Sequence, residues 1–114
     1  MNTKKENKEA YKQMKFRAGI FQIKNLTNNK LFLKASTDLD RAFNSDRFQL
    51  KSGTHRNMEL QNDWNTIGPD NFEFSIFDEL KLKEAATDLE KQKDLKEFLE
   101  LHRIDLLKKG VVLY

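Results

Sequence analysis

Few side chains in this sequence are of types that do chemistry. It contains no cysteine and only two histidines, which excludes disulfides, thiolate zinc sites and a cysteine nucleophile. His55 and His102 are not at metal-ligand spacing. Ser36, Asp46 and His55 can be assembled on paper into a nucleophile, base and acid. No nucleophile elbow surrounds the serine, however, and neither a glycine-rich phosphate loop nor an HExxH segment occurs. The remaining chemical signal is cationic. Lys24, Lys30 and Lys34 decorate two short apolar segments, and Arg41 and Arg47 follow them. Near the start, Lys4, Lys5, Lys8, Lys12, Lys15 and Arg17 outweigh Glu6 and Glu9, whereas acids concentrate from Asp70 to Asp105. A basic first half suits an anionic partner such as DNA or RNA, although a net charge of +3 over 114 residues does not by itself require one.

The elements that must position these groups are legible from periodicity. The length suits one domain with a modest core. Residues 4–14 are rich in helix formers with few apolar side chains, which predicts an exposed lead-in helix. Phe21 and Ile23 share one face of a first strand. A tight Asn28-Asn29 turn, whose residues tolerate positive φ, leads to a return strand Leu31 to Ala35. Ser36 or Thr37 can cap a helix carrying Leu39, Phe43 and Leu50, with Gly53 just past its end. Asn57 can cap a second helix carrying Leu60, Trp64 and Ile67, stopped by Gly68-Pro69. Phe72, Phe74 and Ile76 alternate as a third strand. Two helical stripes follow, Leu82-Ala85-Ala86-Leu89 and Leu95-Phe98-Leu99-His102-Leu106, with a break expected between Glu90 and Asp94. The result is an α+β fold, a small three-stranded antiparallel sheet flanked by helices. Its expected division is an N-terminal helical extension over 1–17 and a domain over 18–114. No apolar run reaches bilayer length and no signal-peptide core follows the charged N-terminus, so the expected location is the cytoplasm.

Several segments, in order and at nearly ungapped spacing, resemble the GIY-YIG nuclease domain. Gly19-Ile20-Phe21-Gln22-Ile23-Lys24-Asn25 is similar to its opening strand, and Asn29-Lys30-Leu31-Phe32-Leu33 to its second. Lys51-Ser52-Gly53-Thr54-His55 resembles its helix-to-helix turn. Leu60 to Asn65, Gly68, Phe72 to Ile76 and Glu79-Leu80 resemble its second half.

The resemblance implies a site in which two strand tyrosines, a helix arginine, a histidine one turn later and a late glutamate surround a phosphate. Those groups would supply a base, charge stabilisation and a divalent metal. In this chain Phe21 and Phe32 fall at the tyrosines, Ala42 at the arginine, Asp46 at the histidine and Lys34 at the glycine of YIG, while Glu100 falls at the glutamate. The late asparagine of many members would fall beyond Tyr114. Phe21 and Phe32 read equally as packing residues, Glu100 as a surface side chain, and Asp46 as an acceptor for Arg47 or a loop amide. His102 reads as half-buried packing and Trp64 as a core anchor.

The expectation is therefore a domain with a degenerate site that binds nucleic acid weakly through Lys24, Lys30, Lys34, Arg41 and Arg47. It would require no cofactor and make no membrane contact, and its oligomeric state is left open. Two alternatives stand beside it. One is a metal-dependent endonuclease with a rearranged site, using Mg²⁺ at Glu100 with Arg41 or Arg47. The other is a protein-interaction module on the same scaffold.

Overall fold

The computed structural model describes residues 17–114. In chain order they form β1 (Gly19–Asn25), β2 (Leu31–Ser36), α1 (Leu39–Ser52), α2 (Met58–Ile67), a 3-10 turn (Pro69–Asn71), β3 (Phe72–Glu79) and α3 (Asp88–Lys108). The strands make one antiparallel sheet in the order β2-β1-β3, the expected α+β architecture. The lead-in helix over 4–14 lies outside the described residues, as does the 1–17 extension apart from Arg17. No helix among the described residues is long and apolar enough to cross a membrane.

Alternation along β1 creates two layers. Phe21 and Ile23 point to one face, fully buried against Leu39, Leu50, Leu60, Trp64 and Phe72. Ile20, equally buried, points to the other face, which α3 covers with Leu95 and Leu106. Cross-strand register carries the division outward: Phe32 pairs with Ile23 and Lys34 with Phe21, so both share the α1–α2 side. Leu31, Leu33 and Ala35 share the α3 side.

The register of β1 against β3 shifts between Ile20 and Phe21. This bulge leaves Phe77 and Asp78 both facing α3. There the His102 ring meets Phe77 at 5.1 Å between centroids, and its Nε2 lies 3.0 Å from Asp78 Oδ2. The bulge also brings the β3 backbone over Gly19. A Cβ at Gly19 would lie 2.2 Å from the Asp78 carbonyl oxygen, at φ +149°, so the first motif glycine is required by close approach and by conformation alike.

Four local readings differ from the sequence expectation. The β1–β2 connection is not a two-residue turn. Only Asn29 has positive φ, at 62°, and Asn25 N–H donates to the Lys30 carbonyl, enclosing four residues. Asn25 organises them, its Oδ1 accepting from Thr27 N and Thr27 Oγ1. The N-cap of α1 is Asp38, whose carboxylate accepts from Arg41 N; the Ser36 hydroxyl instead accepts from Asp38 N. β2 extends to Ser36. Finally, residues 82–87 are not helical and α3 is unbroken from Asp88. Thr87 is the N-cap, its Oγ1 accepting from Glu90 N and donating to the Glu90 carboxylate, and this sets the start of the helix. Leu89, expected on an apolar stripe, is 81% exposed. The caps read at Asn57 and Gly53 are present: Asn57 accepts from Leu60 N, and Gly53 adopts the left-handed conformation at φ 77°.

Candidate functional site

On the α1–α2 side, Phe32, Lys34, Asp46, Gln49, His55, Arg56 and Asn57 line a cavity of about 520 Å³. Asp46 stands on α1 in register with Leu39, Phe43 and Leu50, the spacing of the buried stripe, and is fully buried. An ionised carboxylate there requires partners. It has two. Lys34 Nζ lies 2.8 Å from Oδ1, and His55 Nε2 lies 3.1 Å from Oδ2.

The histidine is fixed from every side. Its Nδ1 accepts from Asn57 N at 3.0 Å, so the neutral ring carries its proton on Nε2 and donates to Asp46. Its backbone N–H donates to Gln61 Oε1 at 3.0 Å. Gln61 Nε2 donates in turn to the Leu50 carbonyl and to Asn65 Oδ1. The Phe32 ring meets the imidazole edge to face at 5.2 Å. The turn between α1 and α2 is thereby tied to both helices.

This arrangement limits the chemistry. Both imidazole nitrogens are already hydrogen-bonded, and His55 positions Asp46. Asp46 has an ammonium on one oxygen and an N–H on the other. Phe21, fully buried and 5.8 Å from the Phe43 ring, and Phe32 supply no hydroxyl. Ala42 is half-buried against the core. Glu100 is exposed on α3, the helix covering the opposite face, and pairs with Arg103 at 3.5 Å. Among the described residues no three His, Asp or Glu side chains converge as a metal site. The residues around Phe32 do not fit a divalent cation, because the one carboxylate is committed and an ammonium already neutralises it.

The sequence-predicted cations are dispersed. Lys24 sits half-buried on the α3 side of β1. Lys30 pairs with Glu59 and lies 4.7 Å over the Tyr114 ring. Lys34 is spent on Asp46. The Arg47 guanidinium covers the Phe43 and Phe74 rings at 5.0 and 4.8 Å, and Arg41 is exposed on the first turn of α1. Among the described residues, neither Arg47 nor a loop amide bonds to Asp46. Sequence reading grouped Asp46 and His55 only on paper with Ser36, which instead bonds to Asp38; the signal for a buried Asp46 was an acid placed inside an apolar helical stripe. His102 is half-buried and Trp64 is buried, as their neighbours in sequence indicate.

No protein-family model matches the chain. It is 34% identical over 64 residues, 56% of its length, to the intron-associated endonuclease 1 of Enterobacteria phage T4. It spans about a quarter of that protein, 26%. Its fold is similar to the solved catalytic domain of the homing endonuclease I-TevI, with a TM-score of 0.53 and 31% identity over 71% of this chain and 87% of that one. A point variant of the same domain gives 0.53 and 29%, over 73% and 84%.

Proposed function

This chain belongs to the GIY-YIG nuclease domain family, and on that premise we propose that it is a nucleic-acid-binding member that does not cleave efficiently. One observation carries the reading. Where the family places a phosphate-facing histidine, this chain buries Asp46 and closes it with Lys34, the residue standing in place of the motif glycine. An internal ion pair fills the position, and the phosphodiester has neither a hydroxyl at Phe21 or Phe32 nor a guanidinium at Ala42 to meet it. Binding draws on the endonuclease relatives and on exposed cations such as Arg41.

Affinity is expected on the order of 10⁻⁴–10⁻⁶ M, falling steeply with salt as condensed counterions are released. Titration of duplex and single-stranded DNA and RNA at low and moderate salt tests this. Absence of binding to all of them at low salt removes the proposal.

A further inference from the structure

β2 is an edge strand of the sheet, and α3 packs against it on the face away from Asp46. Backbone groups on a strand alternate in direction. At Leu31 they point outward, since its N–H donates to the Val112 carbonyl and its carbonyl accepts from Tyr114 N. Leu33 and Ala35 therefore present their N–H and C=O to the same edge. No described group hydrogen-bonds them there. An unpaired edge of this kind is a template for another strand.

The same two residues line a groove of about 750 Å³ with Leu89, Leu95 and Leu99 of α3. Lys93 and Lys96 of α3 border it, and among the described residues no carboxylate lines it. The Lys34 side chain crosses to Asp46 and its backbone faces Phe21 of β1, so neither belongs to this edge. Leu89, 81% exposed, stands at the mouth.

We propose that this edge and groove bind an extended acidic segment of a partner protein by strand addition. Its backbone would pair with Leu33 and Ala35, and of the alternate side chains turned toward α3, apolar ones would enter among Leu89, Leu95 and Leu99 while flanking carboxylates would meet Lys93 and Lys96. The segment Val112–Tyr114, already laid along the same strand in parallel, shows the edge accepting one. Charge decides among occupants. Two copies joined edge to edge would set Lys93 and Lys96 against their equivalents, and the lysine-rich segment 1–16 carries the wrong sign.

The test uses a capped, fluorescein-labelled peptide of sequence Glu-Ser-Val-Ser-Val-Ser-Glu, whose glutamates and valines share one face when extended, followed by anisotropy with the full chain. A lysine–valine peptide serves as control. Ala35→Pro deletes the outward N–H at a position where an edge strand tolerates proline. Lys93→Glu with Lys96→Glu reverses the border charge on exposed side chains. The glutamate peptide is expected to bind and the lysine peptide not, with each variant weakening binding about tenfold or more. Should Ala35→Pro fail to fold, the charge variant alone decides. The proposal is overturned by absence of glutamate-peptide binding, by equal binding of both peptides, or by binding unmoved in the charge variant. Dimerisation through this edge overturns it as well. These readouts involve neither DNA affinity nor cleavage, so they stand apart from the functional proposal.

Discussion

The Lys34 ammonium lies 2.8 Å from the Asp46 carboxylate, tying the edge strand to the buried stripe of α1. Lys34→Ala leaves a buried carboxylate with its histidine alone, and is expected to destabilise the domain by about 1.5–3 kcal/mol, the range of a hydrogen bond to a charged group. Adding Asp46→Asn should recover part of that loss. Urea melts of the two single variants and the double variant measure the coupling. Additive effects would show the pair to be energetically idle.

Gly19 carries the second prediction. Gly19→Ala forces a methyl into the Asp78 carbonyl, and all three contacting atoms, from Asp78 and Glu79, are backbone. An overpacking cost of about 1–3 kcal/mol or more is expected, read as a lowered denaturation midpoint. An unchanged midpoint would mean that the bulge relaxes freely.

Tyr114 gives a pH dependence. Burial, then the bond its hydroxyl donates to Asp63 at 2.6 Å, push the phenol up from 10.0 to about 12. The folded chain thus favours the neutral phenol. That contribution is fully present below pH 10 and is lost as pH rises from about 10 to about 12. The stability difference between the parent chain and Tyr114→Phe should shrink over that window. A difference independent of pH contradicts the assignment.

Much of the scaffold was legible because its signals are local. The alternation Phe72, Phe74, Ile76 and the caps at Asn57 and Gly53 each depend on residues within a turn of one another. Failures came where two local signals competed or where partners were remote. Leu82 to Leu89 has helical spacing, yet the Thr87 N-cap starts the helix at Asp88, leaving Leu89 exposed. The hairpin has adjacent asparagines, yet Asn25 bonds to Thr27 and widens it. At the candidate site, the Lys34, Asp46 and His55 positions were each visible, but their union depends on how β2, α1 and the following turn pack. No spacing rule spans three elements.

Nucleic-acid contacts should not be shared equally among the cations. Lys30 and Lys34 are met by Glu59 and Asp46, whereas Arg41 is exposed. Arg41→Ala is expected to lower the salt slope of binding by about one, and Lys30→Ala by less. The reverse order would show that the ion pairs open on binding.

The most direct test of the account is a single-turnover cleavage assay. Plasmid, linear, branched and single-stranded DNA, bound by saturating protein, are followed with Mg²⁺ and with Mn²⁺. Loss of a catalytic base alone costs about 10²–10⁴-fold, so the account predicts bound DNA that stays intact on the timescale of enzymatic turnover. Rapid metal-dependent cleavage that disappears in Glu100→Ala or Arg41→Ala would contradict it and make this chain an endonuclease with a rearranged site.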